Sequence, residues 1–139
     1  MSKQYVLDSW ALLALLQGEE PAAARVKQIL LEGERQQATL LISIVNLGEV
    51  FYRVGRRSSR AAAVDTLNQI RSLSLTIVSA SDELVLAAAD LKLEYAISYA
   101  DAFAAALADR TGATLVSGDP EFDQLQSRIK VEKLHRTLK

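Results

Sequence analysis

The sequence contains no cysteine, which excludes a disulfide framework and any thiolate metal site. It holds a single histidine, His135, close to the C-terminus. Zinc sites draw on several His or Cys side chains, so zinc is not expected. There is no basic excess either: 16 Lys and Arg stand against 17 Asp and Glu, a net charge of −1. The chain as a whole does not advertise a polyanion partner, although that sum leaves room for a local basic patch. Long apolar runs are missing too. The stretch WALLALL (Trp10–Leu16) is far too short to span a bilayer, and its flanks, Asp8 and Gln17–Glu20, do not make a signal peptide. It reads as a buried first helix, so no membrane association is expected. The lack of cysteine suits the cytoplasm, the expected location.

What is present is ordinary globular material: 139 residues, 50% hydrophobic and 24% charged. That is enough for one domain, 1–139, with a substantial core. Short β-rich runs alternate with longer segments of helical period. QYVLD (Gln4–Asp8), TLLIS (Thr39–Ser43), SLTIVS (Ser74–Ser79) and ATLVS (Ala113–Ser117) read as strands. IKVEKL (Ile129–Leu134) reads as an edge strand. Helices are predicted over Ser9–Leu16, Pro21–Glu34, about Asn46–Arg56, Ser59–Ser72, Ser81–Tyr95 and Asp101–Thr111, with a short one over Pro120–Gln126. This alternation predicts a three-layer α/β/α sandwich around a mostly parallel sheet.

Ligands of such sheets gather at the carboxyl ends of the strands, and four acids are predicted there. Asp8 ends the first strand and Asp119 follows the fourth. Glu49 falls in the first turn of the helix after the second strand. Asp101 opens the helix that runs down into the fourth. Each has a local explanation as a helix cap. Asp8 precedes SWALLALL, Asn46 and Glu49 have capping-box spacing, Ser98 and Asp101 match its looser form, and Asp119-Pro120 is a good helix start. Capping does not explain why Glu49 and Asp101 put charge into apolar settings, NLGEVFY and ISYADAFAAALA. Carboxylates converging in a cleft repel one another, a repulsion that a divalent cation relieves. All-oxygen donors favour Mg²⁺ or Mn²⁺.

YVLDSWALLALL, SIVNLGEVFY and YAISYADAFAAALADRTGATLVSGDPEF, in that order over about Tyr5–Val131, resemble the successive motifs of PIN domains of the VapC-type toxin branch. The resemblance implies a metal-dependent endoribonuclease: Asp8, Glu49, Asp101 and Asp119 bind Mg²⁺ or Mn²⁺ and support hydrolysis of RNA phosphodiesters. It gives Ser9, Asn46 and Ser117 supporting positions, Ser117 standing where threonine is commoner. Asn46 would orient Glu49 or a metal-bound water, and Glu49 would complete the shell or take a proton from the attacking water. Asp123 is a candidate for an outer acidic shell, or a solvated surface acid. The resemblance further implies a cognate antitoxin in the cleft and a homodimer. The alternative is a catalytically inactive PIN-like module that binds RNA or protein. RVGRRSSR supplies Arg53, Arg56, Arg57 and Arg60 just beyond Glu49. These either bind flanking RNA phosphates or answer a helix macrodipole.

Overall fold

The computed structural model describes residues 3–137. Its elements follow the alternation read from the sequence: β1 (Lys3–Leu7), α1 (Ser9–Leu16), α2 (Ala22–Glu34), β2 (Ala38–Ser43), α3 (Ile44–Arg57), α4 (Arg60–Arg71), β3 (Thr76–Val78), α5 (Asp82–Glu94), α6 (Tyr99–Thr111), β4 (Thr114–Ser117), a 3-10 turn (Pro120–Leu125) and β5 (Val131–Lys133). The five strands are ordered β3-β2-β1-β4-β5, and every pairing is parallel.

The period-2 alternation of a strand builds two cores from one sheet. In β1, Tyr5 and Leu7 point into a core shared with Leu12, Val26, Ile29, Leu47 and Ile70 of α1–α4. Val6 points the other way, towards Leu84, Phe103, Ala106 and Phe122 of α5, α6 and the 3-10 turn. The result is the expected α/β/α sandwich. In α6, residues 101–108 are all buried. Its alanines let this enclosed stretch lie close to the sheet, and Gly112, at φ 75°, ends the helix in the left-handed region.

Two helix starts differ from those expected. α3 begins at Ile44, because Ser43 at the very end of β2 accepts a hydrogen bond from the Val45 amide (3.2 Å) and caps the helix at once. Asn46 is therefore no cap, and Glu49 lies in the second turn, not the first. α6 begins at Tyr99, since Ser98 Oγ takes the Asp101 amide (3.2 Å).

Most important for function, β1 and β4 are neighbours, with Leu7 level with Val116. That pairing brings Asp8 and Asp119 together, although they lie at opposite ends of the chain.

Candidate active site

Each acid is placed by the element it caps or rides on. Asp8 caps α1, its Oδ1 accepting from the Ala11 amide (2.9 Å), while its Oδ2 accepts from the Ser117 hydroxyl. Ser117 in turn receives the Asp119 amide (3.0 Å), and Asp119 Oδ1 caps the 3-10 turn through the Glu121 amide (3.0 Å). A continuous chain of hydrogen bonds thus runs from the end of β1 to the turn after β4. Asp101, in the first turn of α6, arrives from above. Glu121 reaches back to accept from the Ser98 amide (2.8 Å), tying the 3-10 turn to the start of α6.

Among the described residues, one oxygen each of Asp101, Asp119 and Glu121 lies within 4.8 Å of the others. All three are hard oxygen donors, the kind that suits Mg²⁺ or Mn²⁺. Asp8 is 0% exposed and stands behind this group. Burial, the largest influence, pushes its carboxyl up to about 7; Ser117 and Ala11 pull it down, and the charges of Asp119 and Glu49 push it up again. Asp101 is raised further, to about 9, first by burial, then by a hydrogen bond shared with Asp119 and by the charges of Asp119, Asp8 and Glu121. Negative charge without a counterion is thus costly here, the condition a divalent cation relieves.

The donor set fits such an ion in a second respect. The Asn46 side chain is fully buried, its Nδ2 donating to the Ala100 carbonyl (3.1 Å) beside Asp101. Its Oδ1 has no partner. Buried acceptors are rarely left unpaired, and a bound water is the simplest partner for this one.

Glu49 faces the same cleft but stands outside the three-acid cluster. Its Oε1 accepts from the Ser9 hydroxyl and its Oε2 from Arg53 (3.3 Å). The cleft encloses about 740 Å³, and its lining joins Glu49, Asp101, Asp119 and Glu121 to Trp10, Tyr52, Arg53, Arg56, Arg57 and Arg136. It is acidic at one end and basic along its rim.

A sequence model of the PIN domain family matches residues 5–127. The chain belongs to the PIN domain family. No curated protein is a significant match to it. Among solved structures, this PIN domain is similar to VapBC2 from Rickettsia felis bound to a DNA fragment from its promoter (TM-score 0.73, 20% identity, over 95% of this chain and 99% of that one). It is similar to DNA-bound VapBC from Salmonella typhimurium (TM-score 0.72, 17% identity, over 96% and 98%). A third likeness is to VapC20 of Mycobacterium tuberculosis, described as a sarcin-ricin loop cleaving toxin (TM-score 0.69, 18% identity, over 86% and 93%). At such identities these likenesses establish the fold.

Of the residues singled out from sequence, Asp101, Asp119, Glu49 and Ser9 meet in the cleft of this PIN domain, and Asp8, Ser117 and Asn46 support it from behind. Arg53, Arg56 and Arg57 line the rim, but Arg60 does not line the cleft and instead opens α4. Asp123 is exposed and pairs with Lys133 (3.0 Å), so it too stands apart. His135 is exposed.

Among the cleft residues that were not expected are Glu121, Trp10, Tyr52 and Arg136. Glu121 sits two positions after Asp119, inside a tight turn that aims it back at the site; the acid-Pro-acid spacing was the available signal. Trp10 packs so closely on Gly118 that a Cβ there would lie 2.3 Å from the indole. Arg136 arrives because the segment after β5 pairs with the loop before α2, through Ala22 N–H to His135 O and Thr137 N–H to Glu20 O, both 2.9 Å. It lies over the Trp10 ring at 5.1 Å, paired with Glu19. Nothing in the sequence pattern signals that return.

Proposed function

We propose that this PIN domain is a metal-dependent endoribonuclease of the VapC type, the toxin of a toxin–antitoxin pair, which hydrolyses RNA phosphodiesters at the acidic end of the cleft. The carrying observation is the convergence of Asp101, Asp119 and Glu121 on one point in a PIN fold, with Asp8 and Glu49 beside them. The VapBC complexes and the RNA-cleaving toxin among its structural neighbours support the toxin assignment and a cognate antitoxin as partner.

Asp101, Asp119 and Glu121 would hold Mg²⁺ or Mn²⁺, with Asp8 completing the charge from behind. The cation, when bound, supplies Lewis acidity and neutralises charge building on the phosphate. The chain's own residues do the rest. Ser117, fixed by Asp8, holds the Asp119 amide and so the direction of its carboxylate. Asn46 Oδ1 accepts a hydrogen bond from a water in the site. Glu49, steadied by Ser9 and Arg53, takes the proton from the water whose oxygen attacks phosphorus, as the bond from phosphorus to the leaving oxygen breaks. Arg56 and Arg57 bind flanking phosphates, a salt-sensitive contribution. Asp123 and Arg60 take no part.

The PIN domain acts as a homodimer in this reading. Leu86 and Leu93, one heptad apart on α5, are 68% and 84% exposed and offer an apolar face to a second copy. No helix among the described residues is long and apolar enough to cross a membrane, and cytoplasmic RNA is the expected substrate.

The test is RNA cleavage by antitoxin-free protein with Mg²⁺ or Mn²⁺, beside Asp8→Asn, Asp101→Asn and Glu121→Gln. Cleavage should require the metal and be nearly abolished by the two aspartate substitutions. Glu121→Gln removes a proposed ligand and should lower metal affinity by at least the roughly 10- to 100-fold that losing an outer partner of a metal site costs. RNA that binds without ever being cut would favour an inactive binding module. Cleavage that survives both aspartate substitutions would belong to a contaminant.

A further inference from the structure

The cleft presents two aromatic side chains beside the acids, and they are not equivalent. Trp10 is committed to the fold: it packs against Gly118 and lies beneath Arg136. Tyr52 is 58% exposed. It lies three residues beyond Glu49 on α3, the spacing that puts two side chains on one helix face. Arg53 and Arg56 continue that stripe, and the Arg56 guanidinium sits over the Tyr52 ring at 6.0 Å. Arg53 is engaged by Glu49, whereas Arg56 and Arg57 pair with no carboxylate among the described residues. An exposed aromatic ring, with Arg56 over it, and guanidinium groups that pair with no carboxylate among the described residues therefore line one cleft with the acids.

We propose that Tyr52 is a stacking platform for an unpaired base, with Arg56 holding the adjoining phosphate, so that Tyr52, and not the arginine rim, is the residue that discriminates single-stranded from duplex RNA in this cleft. The inference rests on the nuclease reading of the same site. Its chemistry is general. Every base has a π-face, an aromatic ring stacks on it whatever the base, and an arginine beside the ring answers both the ring and the backbone charge. In an A-form duplex those faces are covered by neighbouring base pairs, and only a loop, bulge or end can offer one. Tyr52 thus supplies what the arginines cannot, since a phosphate contact does not distinguish a paired strand from an unpaired one.

The experiment measures binding without cleavage, by fluorescence anisotropy of the full chain in EDTA. The probes are an unstructured labelled RNA, the same strand annealed to its complement, and an abasic strand of equal length. Wild type should bind the unpaired strand more tightly than the duplex. Tyr52→Ala should weaken that binding about 5- to 150-fold, the range expected for one stacked base, while leaving its salt slope unchanged. Tyr52→Phe should keep it, and the abasic strand should not respond to either change. Arg56→Ala should lower the salt slope by about 0.7. A Tyr52→Ala protein that melts like wild type and binds the unpaired strand equally well overturns the proposal, as does equal affinity of wild type for duplex. Wild type that binds no RNA in EDTA also overturns the proposal, whereas the nuclease reading falls only if antitoxin-free protein with Mg²⁺ or Mn²⁺ never cuts RNA, so the two failures are distinct.

Discussion

Asp8 and Asp101 are the residues on which burial and charge act most strongly, and both effects favour the protonated form. Their carboxyls rise from the ordinary 3.8 to about 7 and about 9 in the folded chain. Between those limits the folded state binds more protons than the unfolded one, so the stability of metal-free protein falls as pH rises. Thermal melts in EDTA from about pH 5 to about pH 9 should show that fall. Asp101→Asn should flatten it and should raise stability at the alkaline end. A wild-type curve that is flat or rising would mean that the carboxyls are not crowded. Gly118 makes a second prediction at this scale. Its φ is not in the left-handed region; what it lacks is room, because Trp10 occupies the place of a Cβ. Gly118→Ala should cost about 1–3 kcal/mol by chemical denaturation, as overpacking usually does. The same change made in Trp10→Ala should cost far less, and equal costs in the two backgrounds would locate the strain elsewhere.

The elements carry the acids to the site, and most of that was legible before the structure. Strands closed by Asp8 and Ser117, with helices entering or leaving at the same edge, follow from alternation and helix-start chemistry alone. What could not be read was which strands are neighbours, because pairing between β1 and β4 leaves no local mark. Helix starts were legible only to within a turn. Ile44 and Val45 look like a continuing strand, yet Ser43 caps α3 there and moves Asn46 into its buried interior. Glu121 was hidden for a related reason, its acid-Pro-acid context being explained fully by a capped turn. Capping and site-building also prove to be the same act for Asp8 and Asp119, which do both. Ser98 allows this to be tested: Ser98→Ala removes the cap that holds the Asp101 amide. It should cost about 1 kcal/mol of stability and weaken Mn²⁺ binding measured by calorimetry. Loss of stability with unchanged Mn²⁺ affinity would separate the cap from the site.

At the scale of the molecule, the proposed function assigns the acidic cleft to a cation, the basic rim to RNA and the apolar α5 face to a second copy. A cation that binds only the folded chain stabilises it by about 2.7 kcal/mol at a concentration one hundred times its dissociation constant. Because protons on Asp8 and Asp101 must leave first, the Mn²⁺-induced rise in melting temperature should be larger near pH 8 than near pH 6. A rise independent of pH would place the ion away from these acids. For the second copy, Leu86→Glu with Leu93→Glu should turn a dimer into a monomer by light scattering, and the monomer should still melt in one cooperative transition. An unaltered mass would put the interface on another face.

The adjacency of β1 and β4 also has a consequence in time. Asp8 leaves a ribosome about a hundred residues ahead of Ser117, Asp119 and Glu121. Until β4 slots in beside β1, the early carboxylate has no counterpart and Asp101 has no Asp119 to face. Such a long-range closure comes late, after local helices have formed. A chain interrupted before β4 would carry Asp8, Glu49 and Asp101 but no assembled acidic cleft, so a half-made product lacks the site that the finished fold builds.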